Sequence, residues 1–272
     1  MAQLRTANKR HDRAIDKARR LSAPVAVARA TPGAALIGSY AAMPDERIEL
    51  VDVAPIPGGG ELRLLRRGDD YSIRFLGDEL MGSQVQHSEQ ALSTLTCARL
   101  GPGRRRVLIG GLGMGFTLGA ALETLPGDAE VVVAELVPKI VEWAGGILSH
   151  LFGGHLADPR VTVRIADVHD VIVAETEGFD AILLDVDNGP DGMISLANDR
   201  LYCNWGLRAA FAALRPGGIL GIWSGYSDAD FTTRLDLAGF GVEAINIQAI
   251  SEEEDEGYTI WLATRPLSVD TI

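Results

Sequence analysis

The sequence predicts an α/β protein with a mostly parallel, doubly wound sheet. Two observations carry that prediction. The stretch Arg106-Val-Leu-Ile-Gly-Gly-Leu-Gly-Met-Gly-Phe116 reads as a buried strand running into a glycine-rich turn and then a helix. A second strand tipped by an acid, Val131-Val-Val-Ala-Glu135, follows at the spacing of one strand–helix–strand unit.

The remaining elements follow in chain order. Residues 1–45 form a basic arm, with a short helix expected at 8–20 and an Ala/Pro/Gly linker at 21–45. Residues 46–85 form a small antiparallel β-domain of three strands. These are Arg47 to Val53, Glu61 to Arg67 and Tyr71 to Leu76, separated by turns at Pro57-Gly-Gly-Gly60 and Gly68-Asp-Asp70. Such a domain has too little core to stand alone and should pack on the larger one. Residues 86–272 are the main domain. It opens with a helix at Ser88 to Arg99, whose buried stripe is Ala91, Leu92, Leu95 and Ala98.

Strand and helix then alternate: strand 106–110, helix 114–125, strand 130–135, helix 138–148, strand 161–165 and strand 179–184. A long helix is expected over 199–214, stopped by Pro216-Gly-Gly218. A strand at 219–223 follows, then a helix at 228–238 capped by Ser227 or Asp228. The segments 241–247 and 258–264 read as a closing antiparallel pair. Helices between strands imply parallel neighbours and right-handed crossovers.

The 272 residues carry 47% apolar and 23% charged side chains, an ordinary composition for a soluble enzyme. No apolar run is long enough for a membrane helix, and the basic N-terminus has no apolar h-region beside it. The two cysteines, Cys97 and Cys203, suit a reducing cytoplasm and read as packing residues. Net charge is −12. Residues 1–30 hold eight Lys/Arg against two Asp, so the body carries −18. An acidic body argues against nucleic acid as a partner. The acidic run 252–256 reads as a solvated hairpin loop.

Ligands of open α/β sheets collect beyond the carboxyl ends of the strands, and four features lie there. Gly111, Gly113 and Gly115 let a ligand approach the backbone at a helix N-terminus. No Gly-Lys-Ser/Thr ending follows, so this is not the phosphate loop of a nucleotide hydrolase. Glu135 is placed to accept hydrogen bonds from both hydroxyls of a ribose. Asp167 can accept from an exocyclic adenine amine or cap the helix that follows it. Asp185 and Asp187, in Asp185-Val-Asp-Asn-Gly-Pro190, can hold or deprotonate an amine or stabilise a sulfonium. No metal-ligand spacing and no nucleophile elbow is present. A nicotinamide dehydrogenase would share the glycine turn and the strand-two acid. It would also need a substrate-side acid, and no His or Lys is placed for it.

From about residue 48 to residue 264 the order of these pieces resembles the spermidine-synthase-like branch of the class I S-adenosylmethionine-dependent methyltransferase fold. Beyond the features above, the resemblance rests on Asp158-Pro-Arg160 and on Leu214-Arg-Pro-Gly-Gly218. It implies a Rossmann-like, mostly parallel sheet of seven strands closed by an antiparallel hairpin, and a homodimer. It implies that Gly111, Gly113, Gly115, Glu135 and Asp167, with Gln84 from the preceding loop, hold S-adenosylmethionine or its decarboxylated form. Asp185 matches the first aspartate of the family's Asp-x-x-Asp-Pro-x-Gly-Pro motif, and Asp187 approximately the second. The family's Tyr-His-Glu substrate motif corresponds to His87-Ser88-Glu89, where only the glutamate agrees, so His87 and Glu89 become the substrate-binding candidates. Because the substrate-side tyrosine is absent, methyl transfer from S-adenosylmethionine to a small-molecule nucleophile is the favoured expectation. Aminopropyl transfer from the decarboxylated donor to an amine is the alternative.

Overall fold

A four-stranded antiparallel sheet leads into a seven-stranded, mostly parallel one. The computed structural model describes residues 47–84, 86–186, 199–225, 227–247 and 257–267. The basic arm, Asp187 and the acidic run 252–256 lie outside them. The small sheet runs in the order β1 (Glu49–Pro55), β2 (Glu61–Arg67), β3 (Asp70–Phe75) and β4 (Asp78–Gly82). It has four strands where the sequence predicts three. The fourth arises because Leu76, at φ 51°, and Gly77, at φ 98°, turn the chain tightly enough for Asp78 to pair with Phe75.

The main part continues as α1 (His87–Cys97), β5 (Arg106–Gly110), α2 (Phe116–Thr124), β6 (Glu130–Glu135), α3 (Pro138–Gly145) and α4 (Ser149–Phe152). Then come β7 (Val161–Ile165), α5 (Val168–Val173), β8 (Phe179–Leu184), α6 (Asp199–Tyr202), α7 (Asn204–Ala213) and β9 (Leu214–Ser224). The chain closes with α8 (Ala229–Leu237), β10 (Gly241–Ile247) and β11 (Tyr258–Thr264). The large sheet has the order β10-β11-β9-β8-β5-β6-β7. All its pairs are parallel except those made by β11. The seven-stranded sheet and its closing hairpin are therefore as the sequence predicts. The order of the strands reverses at β5, with β6 and β7 on one side and β8 and β9 on the other, so a crevice opens at the carboxyl ends of β5, β6 and β8.

Burial explains this order. Every residue of β8 is buried, and so is β5 after Arg106, as expected of central strands covered on both faces. One core packs α1, α2 and α3 against the sheet and runs on into Ala54, Leu62, Leu64 and Ile73 of the small sheet. The other packs α5, α7 and α8 on the opposite face, around Leu207, Phe231 and Leu235. A polar tie adds to the first: the Trp143 indole N–H donates to Asp52 of β1 at 2.9 Å, with Lys139 at 3.3 Å. The Trp143 bond above all holds the Asp52 carboxyl below its usual range.

Three boundaries depart from expectation. The long helix is two, α6 and α7, because Cys203 between them has extended backbone (ψ 163°). The helix expected over 138–148, α3, ends at Gly145, and the chain restarts in α4. Strand β9 begins five residues early, at Leu214, which pairs with Phe179. Pro216 cannot donate a ladder bond, so the register slips before Ala181 meets Ile219. The α1 stripe also differs: Leu92 is buried together with Ser88, Ser93, Thr96 and Cys97, while Ala98 is exposed. Polar groups fit there because Ser93 and Thr96 donate to backbone carbonyls. Burial pushes the Cys97 thiol up to about 12, so it packs as a small apolar residue. No described helix is long and apolar enough to cross a membrane.

Candidate active site

The glycine-rich turn is held from both sides by backbone. The Gly111 N–H donates to the Ala134 carbonyl at 2.9 Å, and the Asp185 N–H donates to the Gly110 carbonyl at 3.1 Å. Gly111 has φ +88°, and a Cβ there would lie 2.5 Å from the Asp185 carbonyl oxygen. Only glycine lets the β5 and β8 loops approach so closely, and that approach brings Asp185 to the turn. Gly115 caps α2 in the left-handed conformation. The first N–H groups of α2 have no partner within the helix.

Glu135 ends β6 and is 4% exposed. One carboxylate oxygen accepts the Leu112 N–H and the other the Val137 N–H, both at 2.8 Å. Burial pushes its carboxyl up, and the backbone donors around it oppose that. The Gly113 and Leu136 N–H groups act on the same carboxylate. Glu135 also lines the cleft, and a carboxylate there is the kind of acceptor that two adjacent hydroxyls, as in a ribose, can use.

Asp167 performs the capping role that its position allows. One oxygen accepts the His169 N–H at 2.9 Å, capping α5. Its other oxygen takes the Arg200 guanidinium of α6.

Asp185 follows β8 directly and is half-buried. Its Oδ2 accepts the Thr117 hydroxyl at 2.5 Å. Burial first, and the nearby Glu89 second, push its carboxyl from an ordinary value near 3.8 up to about 7, against the Thr117 bond. Glu89 lies in the first turn of α1, where the Ser88 hydroxyl donates to it. Two carboxylates from different elements thus feel each other's charge at the carboxyl end of the sheet.

Gly111, Gly113, Glu135, Asp167 and Asp185 line one cleft, whose outer wall is Ile56, Leu62, Leu80 and Met81 of the small sheet. Gly115 stands behind it, packed on Phe152. Gln84 is a correction. Backbone and side-chain bonds between Ser83 and Tyr71 turn the chain outward. The Gln84 amide then donates to Asp70 at 2.5 Å, in a separate groove lined by Arg66, Arg67 and Tyr71. His87 packs its ring 5.9 Å from Tyr258, which stacks on Trp223 at 6.4 Å.

Sequence reasoning missed Thr117, Arg200 and the apolar wall from the small sheet. Thr117 was legible in part, as a hydroxyl among apolar residues two positions after the glycine turn. Met81 and Leu80 were not, because they reach the cleft through tertiary packing.

Comparison with known proteins bears on the fold. No family model matches the chain. It is 32% identical over 170 residues to a polyamine aminopropyltransferase of Mycobacterium tuberculosis (strain CDC 1551 / Oshkosh), covering 61% of this chain and 31% of that protein. It is 30% identical over 182 residues to one from Corynebacterium efficiens, covering 64% and 33%. The chain spans about a third of the length of these curated relatives. Spermidine synthase from Thermotoga maritima superposes with a TM-score of 0.65 at 16% identity, covering 80% of this chain and 73% of that one. A spermidine synthase solved with the transition state analogue AdoDATO gives 0.64 at the same identity and coverage. The fold is thus that of the spermidine synthases on which it superposes, here a small antiparallel N-terminal sheet followed by a seven-stranded, mostly parallel one.

Proposed function

We propose that this chain is a transferase that moves an aminopropyl group from decarboxylated S-adenosylmethionine to a small amine. The sequence likeness to polyamine aminopropyltransferases carries this reading. It reverses the order reached from sequence, which put methyl transfer first because the substrate-side tyrosine is absent. The facing carboxylates Glu89 and Asp185 add support, since an organic ammonium is the ligand that two acids attract.

Glu135 accepts the ribose hydroxyls, and Gly111 and Gly113 give the nucleoside its approach to the backbone. Asp167 faces the adenine amine while it caps α5. Glu89 holds the acceptor as a cation, with His87 beside it. Asp187, two residues past Asp185, assists with the same amine. The acceptor arrives as an ammonium and must lose one proton before its nitrogen lone pair is free. Asp185, with a carboxyl near neutrality, takes that proton. The N–C bond then forms as the C–S bond breaks, and the bonding pair leaves with sulfur, which becomes a neutral thioether. Both reactants carry positive charge beside Asp185, and its ionised form favours their meeting. A homodimer acting in the cytoplasm is part of the same proposal.

Calorimetric titration with decarboxylated and intact S-adenosylmethionine tests the donor, and transfer to putrescine tests the reaction. Tighter binding of the decarboxylated donor with turnover is expected. A preference for the intact donor, with methyl transfer to an acceptor, would replace this reading.

A further inference from the structure

Asp185 is fixed at three points, and two of them are backbone. Its N–H is tied to Gly110, and its carbonyl lies against Gly111. The third is the Thr117 hydroxyl on Oδ2. Thr117 is 3% exposed and is itself pinned: the Ser93 hydroxyl, wholly buried in α1, donates to the Thr117 carbonyl at 2.6 Å. Ser93 stands one helical turn after Glu89, so α1 brings one acid to face Asp185 and one hydroxyl to brace its partner. The chain Ser93–Thr117–Asp185 thus links α1, α2 and the end of β8 by two hydrogen bonds, the first buried and the second partly buried.

We propose that Thr117 is a positioning residue for the transfer: by occupying Oδ2 of Asp185 it leaves Oδ1 as the oxygen that meets the acceptor amine. This rests on the reading of Asp185 as proton acceptor. A carboxylate free to rotate presents either oxygen and loses aim, and a hydroxyl donor on one oxygen removes that freedom. The hydroxyl also favours the ionised carboxylate, opposing burial and Glu89. Among the described residues the other charged groups along the cleft are Glu135 on β6 and Asp167, the latter paired with Arg200. Neither adds a cation beside Asp185.

The test uses Thr117→Val, which keeps the shape and removes the donor, with Thr117→Ser to restore it and Asp185→Asn as reference. Single-turnover rates with decarboxylated S-adenosylmethionine and putrescine are read from pH 5 to 9. In parallel, aspartate labelled at its carboxyl carbon is titrated by NMR, with the Asp185 signal assigned by its absence in Asp185→Asn. In Thr117→Val we expect a rate lower by about tenfold or more, the worth of a hydrogen bond to a charged group. Donor affinity should stay within about threefold, and the acidic limb and the Asp185 titration should both move to higher pH. Thr117→Ser should recover all three. Ser93→Ala, which loosens the brace and keeps the hydroxyl, should move them less and in the same direction. An unmoved Asp185 titration in Thr117→Val, or a Thr117→Ser variant as impaired as Thr117→Val, overturns the proposal. If Asp185→Asn turns over normally, the reading of Asp185 fails instead. The NMR titration still decides whether Thr117 holds that carboxylate.

Discussion

The two ends of the large sheet treat buried acid in opposite ways. At the amino ends, Asp180 of β8 is surrounded by cations: Arg105 lies at 3.2 Å, Arg215 at 2.5 Å, and the Arg106 N–H donates at 2.8 Å. Arg106 in turn pairs with Glu130 and Glu175, both at 3.0 Å. At the carboxyl ends, Glu135 and Asp185 are held by backbone N–H groups and a hydroxyl. Among the described residues neither has a cationic partner. Both sets are largely buried, yet only the first is neutralised from within. Burying an acid without a cation costs stability, and under the proposed function a positive group bound beside Asp185 offsets that cost. A sulfonium donor and an ammonium acceptor are two such groups.

The largest way to break this comparison is at Asp185. Asp185→Asn should lower turnover on the order of a hundredfold or more and leave donor affinity within a few-fold, measured by single-turnover kinetics and calorimetry. The same variant carries a stability signature. Because the folded-state carboxyl titrates near 7 and the unfolded one near 3.8, the folded chain binds the extra proton between those values. Folding stability therefore falls as pH rises through that window, by up to about 4 kcal/mol and by less as solvent reaches this half-buried group. The Tm of Asp185→Asn should exceed that of the parent at pH 8, and the gap should close toward pH 5. Equal Tm differences at both values would show that Asp185 is not the strained acid of this end.

Matched alanine substitutions at the two ends sharpen the contrast. Glu135→Ala should weaken donor binding by about 10- to 100-fold, because two hydroxyls lose a charged acceptor. Asp180→Ala should leave donor binding unchanged and lower stability by roughly 2–3 kcal/mol, since it takes the carboxylate from two guanidinium groups and a backbone N–H. Thermal melts and calorimetry on both variants give four numbers. If Asp180→Ala weakens the donor as much as Glu135→Ala does, the division of labour between the ends is wrong.

The same contrast explains what the sequence could reveal. Central strands β5, β6 and β8 announce themselves by the apolar runs 107–109, 131–134 and 181–184, and Glu135 and Asp185 stand out because each directly follows such a run. Their residue types report position along a strand, which is local information. The fourth strand of the small sheet was hidden because Asp78–Gly82 has no apolar alternation, and its pairing depends on a turn through Leu76. The cleft wall from Leu80 and Met81 was hidden for the same reason. Gln84 was misplaced because its loop was read by likeness to longer ones. Here Ser83 pins the chain to Tyr71, and the side chain turns to Asp70. The Asp180 cluster drew no notice either, since its partners Arg105 and Arg215 are far apart in sequence.

Asp167 offers the finest test, because it belongs to both kinds of site at once. It caps α5 as a structural acid would, and it lines the cleft as a ligand-facing acid would. Its second oxygen is already engaged by Arg200. Serine caps a helix about as well as aspartate, but its single oxygen cannot also reach outward. Asp167→Ser should therefore keep the α5 cap, with Tm lowered by only a few degrees for the lost Arg200 pair. Affinity for decarboxylated S-adenosylmethionine should fall about 3- to 10-fold, the value of one hydrogen bond to the adenine amine. A donor lacking that amine should bind parent and variant alike. If affinity for the complete donor is unchanged while Tm drops, Asp167 is a cap and an ion-pair partner only, and nucleoside recognition rests on Glu135 and the glycine turn.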